Sequence, residues 1–285
     1  GIMAAVTRPG DWIGPTGSLP GAKKEEAGHG IWITAEETAE RIKARLEACG
    51  ADLEKVSIVR HITEAHEGGR ETRRTFSLPE DLELLRGWLA QYKPLLVVLD
   101  NMSALFSPEY DSTKSQKSRS ILNELLSLAE EHGTTILLVR HQTKGSANKD
   151  FGTNGPAWLA GEGSIAFAGA ARLVLRVGYM AEDLELPNKW ERRRVLHVAK
   201  MNEGKEDMGT PFRIQNIELP DGASVRIPKW EPAQLMDDSE VSSSGRSKPG
   251  PKAEKLPAAM EAIKGLFQAR GGKIGHSELE ELKHQ

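Results

Sequence analysis

The feature that most constrains the fold is an unbroken aliphatic run at residues 95–99 that ends in Asp100. A strand with one face in water alternates apolar and polar residues, whereas this run has no alternation. Unbroken apolar strands are typical of parallel sheets, because helices cover both faces of such sheets. The run therefore predicts a central, buried strand that delivers a carboxylate to its C-terminal end.

The other apolar segments predict the same architecture. Further strands are predicted at 31–33, 56–59, 135–139, 170–177 and 195–198. Helices are predicted at about 36–49, 79–92 and 118–132. Strands that alternate with helices indicate an α/β fold with a parallel sheet and helices on both of its faces.

The remaining segments are predicted to lie outside this sheet. The Gly/Pro-rich residues 9–30 are interpreted as loop, and the polar residues 60–78 as a hairpin or a mobile excursion. The composition then divides the chain into a main domain at 1–230, a Ser/Gly/Pro-rich linker at 231–255 and a partial module at 256–285. Residues 256–268 have the pattern of an amphipathic helix, which suits the first half of a small helical or winged-helix module.

Composition excludes several classes of protein. With 38% apolar and 28% charged residues the chain is an ordinary globular protein rather than a disordered one. It has no apolar run long enough to span a membrane and no signal-peptide pattern, which predicts a cytoplasmic location. The single cysteine, Cys49, cannot form an internal disulfide, and this fits a reducing compartment.

Two residues at the ends of predicted central strands are candidates for chemistry. Asp100 is placed where ligands of open α/β sheets collect and could hold a nucleotide-bound magnesium ion, although an aspartate that ends a turn would look the same. After the strand at 135–139, His141 could sense a phosphate through a hydrogen bond, and a satisfied surface or core histidine is the alternative. Lys144 follows in a polar loop, either as a phosphate ligand or as a solvated side chain.

A third strand end carries two carboxylates. Thr34 and Glu37 are three residues apart, which is the signature of a capping box at the start of a helix. Glu37 is largely explained by this cap, whereas Glu36 is free to act as a general base on an attacking water. Favourable charge at a helix N-terminus remains an alternative for both.

Two basic residues complete the candidates. Arg172 ends a run of small residues that begins at Gly161, and it could reach a phosphate in an adjoining subunit or simply extend into solvent. Lys200 ends the strand at 195–198, as a second phosphate-facing lysine or as an exposed strand end.

Taken in order, these motifs resemble the RepA-type branch of the RecA-like AAA-family P-loop ATPases, found in phage and plasmid replication modules. The resemblance covers residues 1 to about 218. It rests on Ile-Thr-Ala-Glu36-Glu37 with Arg45-Leu-Glu-Ala-Cys-Gly-Ala-Asp52, and then on Leu-Leu-Val-Val-Leu-Asp100, Leu-Leu-Val-Arg-His141-Gln-Thr-Lys144, Gly163-Ser-Ile-Ala-Phe-Ala-Gly-Ala-Ala-Arg172 and Val-Ala-Lys200-Met-Asn202.

The resemblance implies a RecA-like fold, ATP and Mg²⁺ as ligands, and a role for each matched residue. Glu36 is then the water-activating carboxylate, Asp100 the Walker B partner of magnesium, His141 the phosphate sensor and Arg172 a finger supplied to a neighbouring subunit. Glu37, Lys144 and Lys200 are the further nucleotide-binding candidates. Such proteins form hexameric rings with sites between subunits, some move on single-stranded DNA, and a primase or replication initiator is an expected partner.

One motif of this family does not occur in the sequence. A G-x-x-x-x-G-K-[ST] loop, whose backbone N–H groups and lysine hold the phosphates, is found nowhere in the 285 residues. In the family this loop precedes the helix whose end here reads Gly1-Ile-Met-Ala-Ala-Val, so we expect the chain to be a fragment that binds ATP poorly alone.

Two further functions remain open at this point. The first is a scaffold that binds DNA or a replication partner without turnover, and the second is a recombinase-like ATPase, because a fold does not by itself determine function.

Overall fold

The computed structural model describes residues 2–14, 17–24, 27–107, 115–141, 169–204, 207–220 and 222–242. The helices among them are α1 Ile2–Val6, α2 Ala39–Ala48, α3 Leu82–Tyr92, α4 Met102–Leu105 and α5 Ser115–His132. None of these helices is long and apolar enough to cross a membrane.

The first part of the chain builds a parallel sheet of four strands. These are β3 Gly30–Thr34, β4 Val56–Val59, β7 Leu96–Asp100 and β8 Thr135–Leu138, arranged in the order β4-β3-β7-β8. β3 pairs with β7 from Gly30 opposite Leu96 to Thr34 opposite Asp100. The predicted α/β architecture and the predicted central strand are confirmed.

Helices cover both faces of this sheet. On one face, Leu85 and Leu89 of α3 and Leu125 of α5 pack with Val97 and Leu99 of β7. On the other face, apolar residues of α1 and α2 pack against the alternate strand residues, which include Leu96 and Val98. The unbroken aliphatic run therefore fills two separate cores, which is why it lacks alternation.

A second sheet, which is antiparallel, follows in the chain. Its strands are β9 Leu173–Met180, β10 Arg194–Met201, β11 Met208–Glu218, β12 Ser224–Trp230, β13 Gln234–Leu235 and β14 Val241–Ser242. The main path runs β12-β11-β10-β9-β14, and β13 pairs with β11.

This second sheet corrects the prediction that residues 170–177 and 195–198 extend the parallel sheet. β9 and β10 are antiparallel neighbours, with Leu196 opposite Val177. In the residues between them the structure has a short 3-10 helix, Ala181–Glu185, whereas a parallel crossover usually needs a full helix. Apolar content indicated the strands correctly but carries no information on their direction.

Two hairpins lie outside these sheets. β5 Ile62–Ala65 pairs with β6 Glu71–Arg74, which confirms the hairpin interpretation of residues 60–78. β1 Gly10–Gly14 pairs with β2 Gly17–Lys24, so the prediction of loop throughout residues 9–30 was wrong. Glycine and proline are poor strand formers, and here backbone pairing in an isolated two-stranded hairpin overrides that preference.

The ordered packing of the main domain continues past residue 230. β13, the 3-10 helix Asp238–Glu240 and β14 lie on the second sheet, and Met236 is buried there. Residues 234–242 therefore pack on the second sheet and do not belong to a linker that starts at 231. The buried side chains of Met236 and Val241 anchor this otherwise polar segment. The rest of the predicted linker and the predicted module at 256–285 lie outside the described residues.

Candidate functional site

Three adjacent parallel strands bring Glu36, Asp100 and His141 to one edge of the sheet. β3 ends at Thr34 beside Asp100, the last residue of β7, and Leu99 of β7 pairs with Leu138 of β8. Because the strands are parallel, all three side chains follow C-terminal strand ends, where open α/β sheets bind ligands. We call this region the carboxyl edge.

The carboxylate of Glu36 is exposed and is approached by side chains from both neighbouring strands. Its Oε1 accepts a hydrogen bond of 2.5 Å from Nδ2 of Asn101, which follows β7. Its Oε2 lies 3.7 Å from Nε2 of His141, which follows β8. The structure therefore brings the side chains of Glu36 and His141 together.

Asn101 is a site residue that sequence reasoning missed. Its side chain is 1% exposed. The Oδ1 atom accepts hydrogen bonds of 2.9 Å from the backbone N–H of Ala104 and from Oγ of Ser103, which caps α4 and leaves Nδ2 directed at Glu36. An asparagine before a short helix is a recognisable cap signal, but its second partner, 65 residues away in the chain, is visible only in the fold.

Asp100 is half-buried at the centre of the carboxyl edge. Burial raises the pKa of its carboxyl group, and the negative charge of Glu36 raises that pKa further. The charges of Arg45 and His141 and the nearby indole N–H of Trp32 lower it and only partly compensate. The Trp32 N–H is buried and makes no well-aligned hydrogen bond within the described residues, so its effect on Asp100 is that of a nearby dipole.

Asp100 has the donor chemistry of a divalent-cation ligand. Among the residues that the structure describes, no group of three or more His, Cys, Asp or Glu side chains could hold a metal ion. Magnesium in proteins is commonly held by one or two carboxylates together with water and the phosphate groups of a substrate. A cation there would also offset the unfavourable burial of the Asp100 charge.

The predicted capping box at Thr34 and Glu37 was wrong. Thr34 is the last residue of β3, and its Oγ1 accepts from the N–H groups of Glu36 and Glu37 in a local turn. The cap of α2 is Thr38, whose Oγ1 accepts from the N–H of Arg41 at 3.4 Å. Two threonines four residues apart offer equivalent cap signals, and the extension of β3 to Thr34 decides between them.

Glu37 takes part in an ion pair and not in the predicted helix cap. Its carboxylate forms an ion pair with Arg45 of α2. The charge of Arg45 also acts on Asp100. Glu37 therefore helps to hold a positive charge beside the carboxyl edge. Arg45 belongs to one of the motifs that carry the resemblance, but the sequence alone assigned it no role.

Arg172 lies away from this cluster. It precedes β9, and its Nη2 donates to Oε1 of Glu130 at 2.6 Å. Glu130 is near the end of α5, which leads into the first residue of β8, so this ion pair lies toward the opposite edge of the parallel sheet. Within one subunit the structure does not bring Arg172 to Glu36, Asp100 and His141.

The predicted lysines give a mixed result. The Nζ atom of Lys200 donates to the carbonyl oxygens of Gly169 and Ala171, at 3.1 Å and 2.8 Å. In this arrangement Lys200 holds the segment before β9 against β10. Lys144 lies outside the described residues.

Comparison with known proteins agrees with this geometry. The family model described as an AAA domain matches residues 1–147, just over half of the chain. This segment contains β3, β7 and β8 with Glu36, Asp100 and His141. A search of curated proteins finds no match. The chain thus belongs to the AAA-domain family of P-loop ATPases.

Proposed function

We propose that this protein is an ATP-hydrolysing, DNA-associated motor of the RepA-like hexameric helicase type that acts in phage or plasmid DNA replication. The observation that carries the proposal is the convergence of Glu36, Asp100 and His141 on the carboxyl edge. Family membership supports nucleotide binding, and the order of the motifs supports the helicase-like branch.

In this proposal Glu36 is the general base of ATP hydrolysis. Its exposed carboxylate can accept a proton from a water molecule, and Asn101 fixes its orientation through Oε1. His141, on the other side of the carboxylate, can donate a hydrogen bond to a phosphate oxygen. Correct positioning of such groups supplies most of the catalysis in phosphoryl transfer.

Asp100 would hold the magnesium ion that accompanies ATP. Bound magnesium supplies positive charge to the phosphate oxygens. The half-buried carboxylate of Asp100 fits this role because burial and Glu36 disfavour its charge until a cation is present. Glu37 would act indirectly by holding Arg45 beside the nucleotide.

We further propose that active sites form between subunits of a homo-hexamer. Arg172 lies toward the opposite edge of its own subunit from Glu36, so a contact between Arg172 and phosphate requires the site of a neighbour. Its ion pair with Glu130 would have to open, which costs little because both side chains are largely exposed. Lys200 and Lys144 are the proposed additional phosphate contacts, and single-stranded DNA with a primase or initiator is the proposed partner set.

The test is ATP turnover of the protein expressed from its complete reading frame, with and without single-stranded DNA, beside the Asp100→Ala variant. Glu83→Ala is the matched control, because the Glu83 side chain is 85% exposed and pairs with Arg86 of its own helix. DNA-stimulated turnover that Asp100→Ala removes and Glu83→Ala retains supports the motor. A folded protein without ATP turnover would contradict the motor proposal and favour the scaffold function. ATP turnover that drives strand exchange rather than unwinding would favour a recombinase-like ATPase.

A further inference from the structure

Residues 234–242 cross one face of the second sheet, and we call this segment the strap. It enters at β13, where Leu235 pairs with Met208 of β11, and it ends at β14, where Val241 pairs with Met180 of β9. Since β10 lies between β9 and β11, the strap passes over β10. The face beneath it carries His197 of β10 and Arg176 of β9, which are direct neighbours in the sheet.

The strap is in close contact with the sheet at both of its ends. A Cβ atom added to Gly209 would lie 2.7 Å from the sulfur of Met236, and one added to Gly178 would lie 2.6 Å from Cγ1 of Val241. Met236 and Val241 are buried with Met180 and Val195. The apolar contacts therefore hold the two ends, and the polar residues between them lie over His197.

His197 faces two oxygen atoms of the strap. Its ring is 2% exposed. Nε2 lies 3.2 Å from the carbonyl oxygen of Met236, and Nδ1 lies 3.3 Å from Oδ1 of Asp238. The second contact is ionic rather than a well-aligned hydrogen bond, since Nδ1 has no hydrogen-bond partner of good geometry within the described residues.

A neutral imidazole cannot satisfy both contacts. It carries one N–H donor, so a neutral ring that donates to Met236 turns the Nδ1 lone pair toward the Asp238 carboxylate. Only the imidazolium form presents an N–H to each oxygen atom.

The charges around His197 are few and come from several elements. From β9, the buried Arg176 donates from Nη2 to the carbonyl oxygen of Val241 and lies 3.7 Å from Asp238. From the strap, Asp238 lies beside the ring, the Asp237 carboxylate accepts from the N–H of Ser239, and Glu240 accepts from the N–H of Asp237. The 3-10 helix Ala181–Glu185 packs beside the strap, and its Asp183 and Glu182 are paired with Arg193.

The Asp238 carboxylate lies near two basic side chains, because its Oδ1 is 3.7 Å from Nη1 of Arg176 and 3.3 Å from Nδ1 of His197. Protonation of His197 adds a positive charge beside this carboxylate, and loss of the proton removes it. A charge-assisted contact is then replaced by a lone pair that faces a carboxylate.

We propose that the strap is a proton-dependent latch that is closed on the sheet while His197 is protonated and loosens when His197 becomes neutral. The strap directly precedes residues 243–285 in the chain. The proposal does not depend on nucleotide chemistry, because the strap and the carboxyl edge share no residues.

Hydrogen exchange of the strap amides, read by mass spectrometry of the full chain between pH 5.5 and 7.5 and corrected for intrinsic exchange, tests the latch. We expect protection of residues 235–242 to fall by about tenfold with rising pH, because the contact between His197 and Asp238 loses its charge assistance. Amides of β10 and β11 serve as the internal reference. His197→Gln should remove the pH dependence, and His61→Gln, an exposed histidine next to β5, should retain it.

Two results would overturn the proposal. One is strap protection in the native protein that does not change with pH, and the other is a His197→Gln variant that keeps the full change. If His197→Gln does not fold, the ¹⁵N resonances of the native His197 ring replace it. The latch predicts two protonated ring nitrogens while the strap is protected and one when protection is lost. A ring that is singly protonated throughout contradicts the latch.

Discussion

The side-chain amide of Asn101 donates a hydrogen bond to Glu36, and this contact joins the ends of two neighbouring parallel strands. Asn101 also caps α4, so the residue that orients the proposed general base is fixed by the main chain on its other side. His141 completes the arrangement from the third strand. The proposed base is thus positioned by groups that belong to the scaffold of the sheet.

The first prediction concerns Glu36. Glu36→Gln keeps the hydrogen bond acceptor for Asn101 but removes the basic carboxylate, so we expect kcat for ATP to fall by about 10²- to 10⁴-fold while nucleotide affinity is retained. Steady-state turnover and equilibrium binding of a fluorescent nucleotide measure the two effects. Turnover within twofold of the native protein would remove Glu36 from the base role.

The second prediction separates the two functions of Asn101. Asn101→Ser retains an oxygen that can cap α4 but lacks the amide that reaches Glu36, so we expect kcat to fall by about tenfold with little loss of stability. Asn101→Ala also loses the cap and should lower the free energy of unfolding by about 1 kcal/mol. Urea denaturation and turnover are compared for both variants. Equal turnover in Asn101→Ser and the native protein would show that Asn101 is structural only.

The third prediction follows from the raised pKa of Asp100. Burial and the charge of Glu36 make the ionised carboxylate unfavourable in the folded protein, so protonation stabilises the fold at low pH and this contribution is lost as pH rises through the folded-state pKa. We therefore expect Asp100→Asn to be more stable than the native protein at pH 7 without ligand, and the difference to shrink toward pH 4. Urea unfolding at pH 7 and pH 4 measures this difference in stability. An Asp100→Asn variant that is less stable than the native protein at pH 7 would contradict the prediction.

The fourth prediction concerns stability alone. Asp81 is 4% exposed, receives two hydrogen bonds from the Arg74 guanidinium at 2.6 Å and 2.7 Å, and accepts from the N–H of Ser77. Burial by itself would raise the pKa of Asp81, but the Arg74 and Ser77 hydrogen bonds outweigh it and lower that pKa. We expect Asp81→Asn to lower the free energy of unfolding by about 2 to 3 kcal/mol at pH 7. This is somewhat less than the loss on breaking a fully buried ion pair, because Arg74 is partly exposed.

The pH dependence of this effect has a defined sign. A lowered folded-state pKa stabilises the protein above the unfolded pKa of about 4 and ceases to do so as pH falls through the folded value. The difference between the native protein and Asp81→Asn should therefore narrow below pH 4. Arg73→Ala, at an exposed position of the same hairpin, is the control and should be neutral. If the difference in the free energy of unfolding between the native protein and Asp81→Asn does not depend on pH, then packing of Asp81, and not its charge, stabilises the fold.

The fifth prediction tests whether active sites are shared between subunits. Arg172→Ala and Asp100→Ala should each abolish turnover of an assembly that contains one variant only. Mixed assemblies contain sites that combine an intact Asp100 from one subunit with an intact Arg172 from its neighbour, so we expect mixing to restore part of the turnover. No recovery in mixed assemblies that have formed would place Arg172 outside the catalytic site or in its own subunit's site.

The sequence was sufficient where local pattern and burial coincide. The run before Asp100 is buried on both faces, and its pattern therefore predicted both the strand and the position of its carboxylate. Three site candidates at the ends of parallel strands could be grouped because the geometry of such sheets places these ends together. The strands β9 and β10 were also found, but apolar composition did not show that they are antiparallel.

The remaining features depend on contacts between distant residues. The contacts of Asn101 with Glu36 and of Arg172 with Glu130 join residues that are far apart in the chain, and no local sequence pattern indicates them. The strap was assigned to a polar linker because Met236 and Val241 are isolated apolar residues, and their burial depends on glycines in other strands. Side-chain partners across the fold are thus what sequence reasoning lacked.

The pairing of β3 with β7 has a consequence for the order of folding. Gly30 meets Leu96, so a long intervening segment must be closed into a loop before β3 and β7 can pair, whereas β10 and β11 follow each other directly in the chain. Loop closure of this kind slows folding, because its entropy is lost before the contacts form. We therefore expect the antiparallel meander to gain structure early during refolding and the carboxyl edge to be assembled late, so that catalytic competence appears only after most of the chain is already folded.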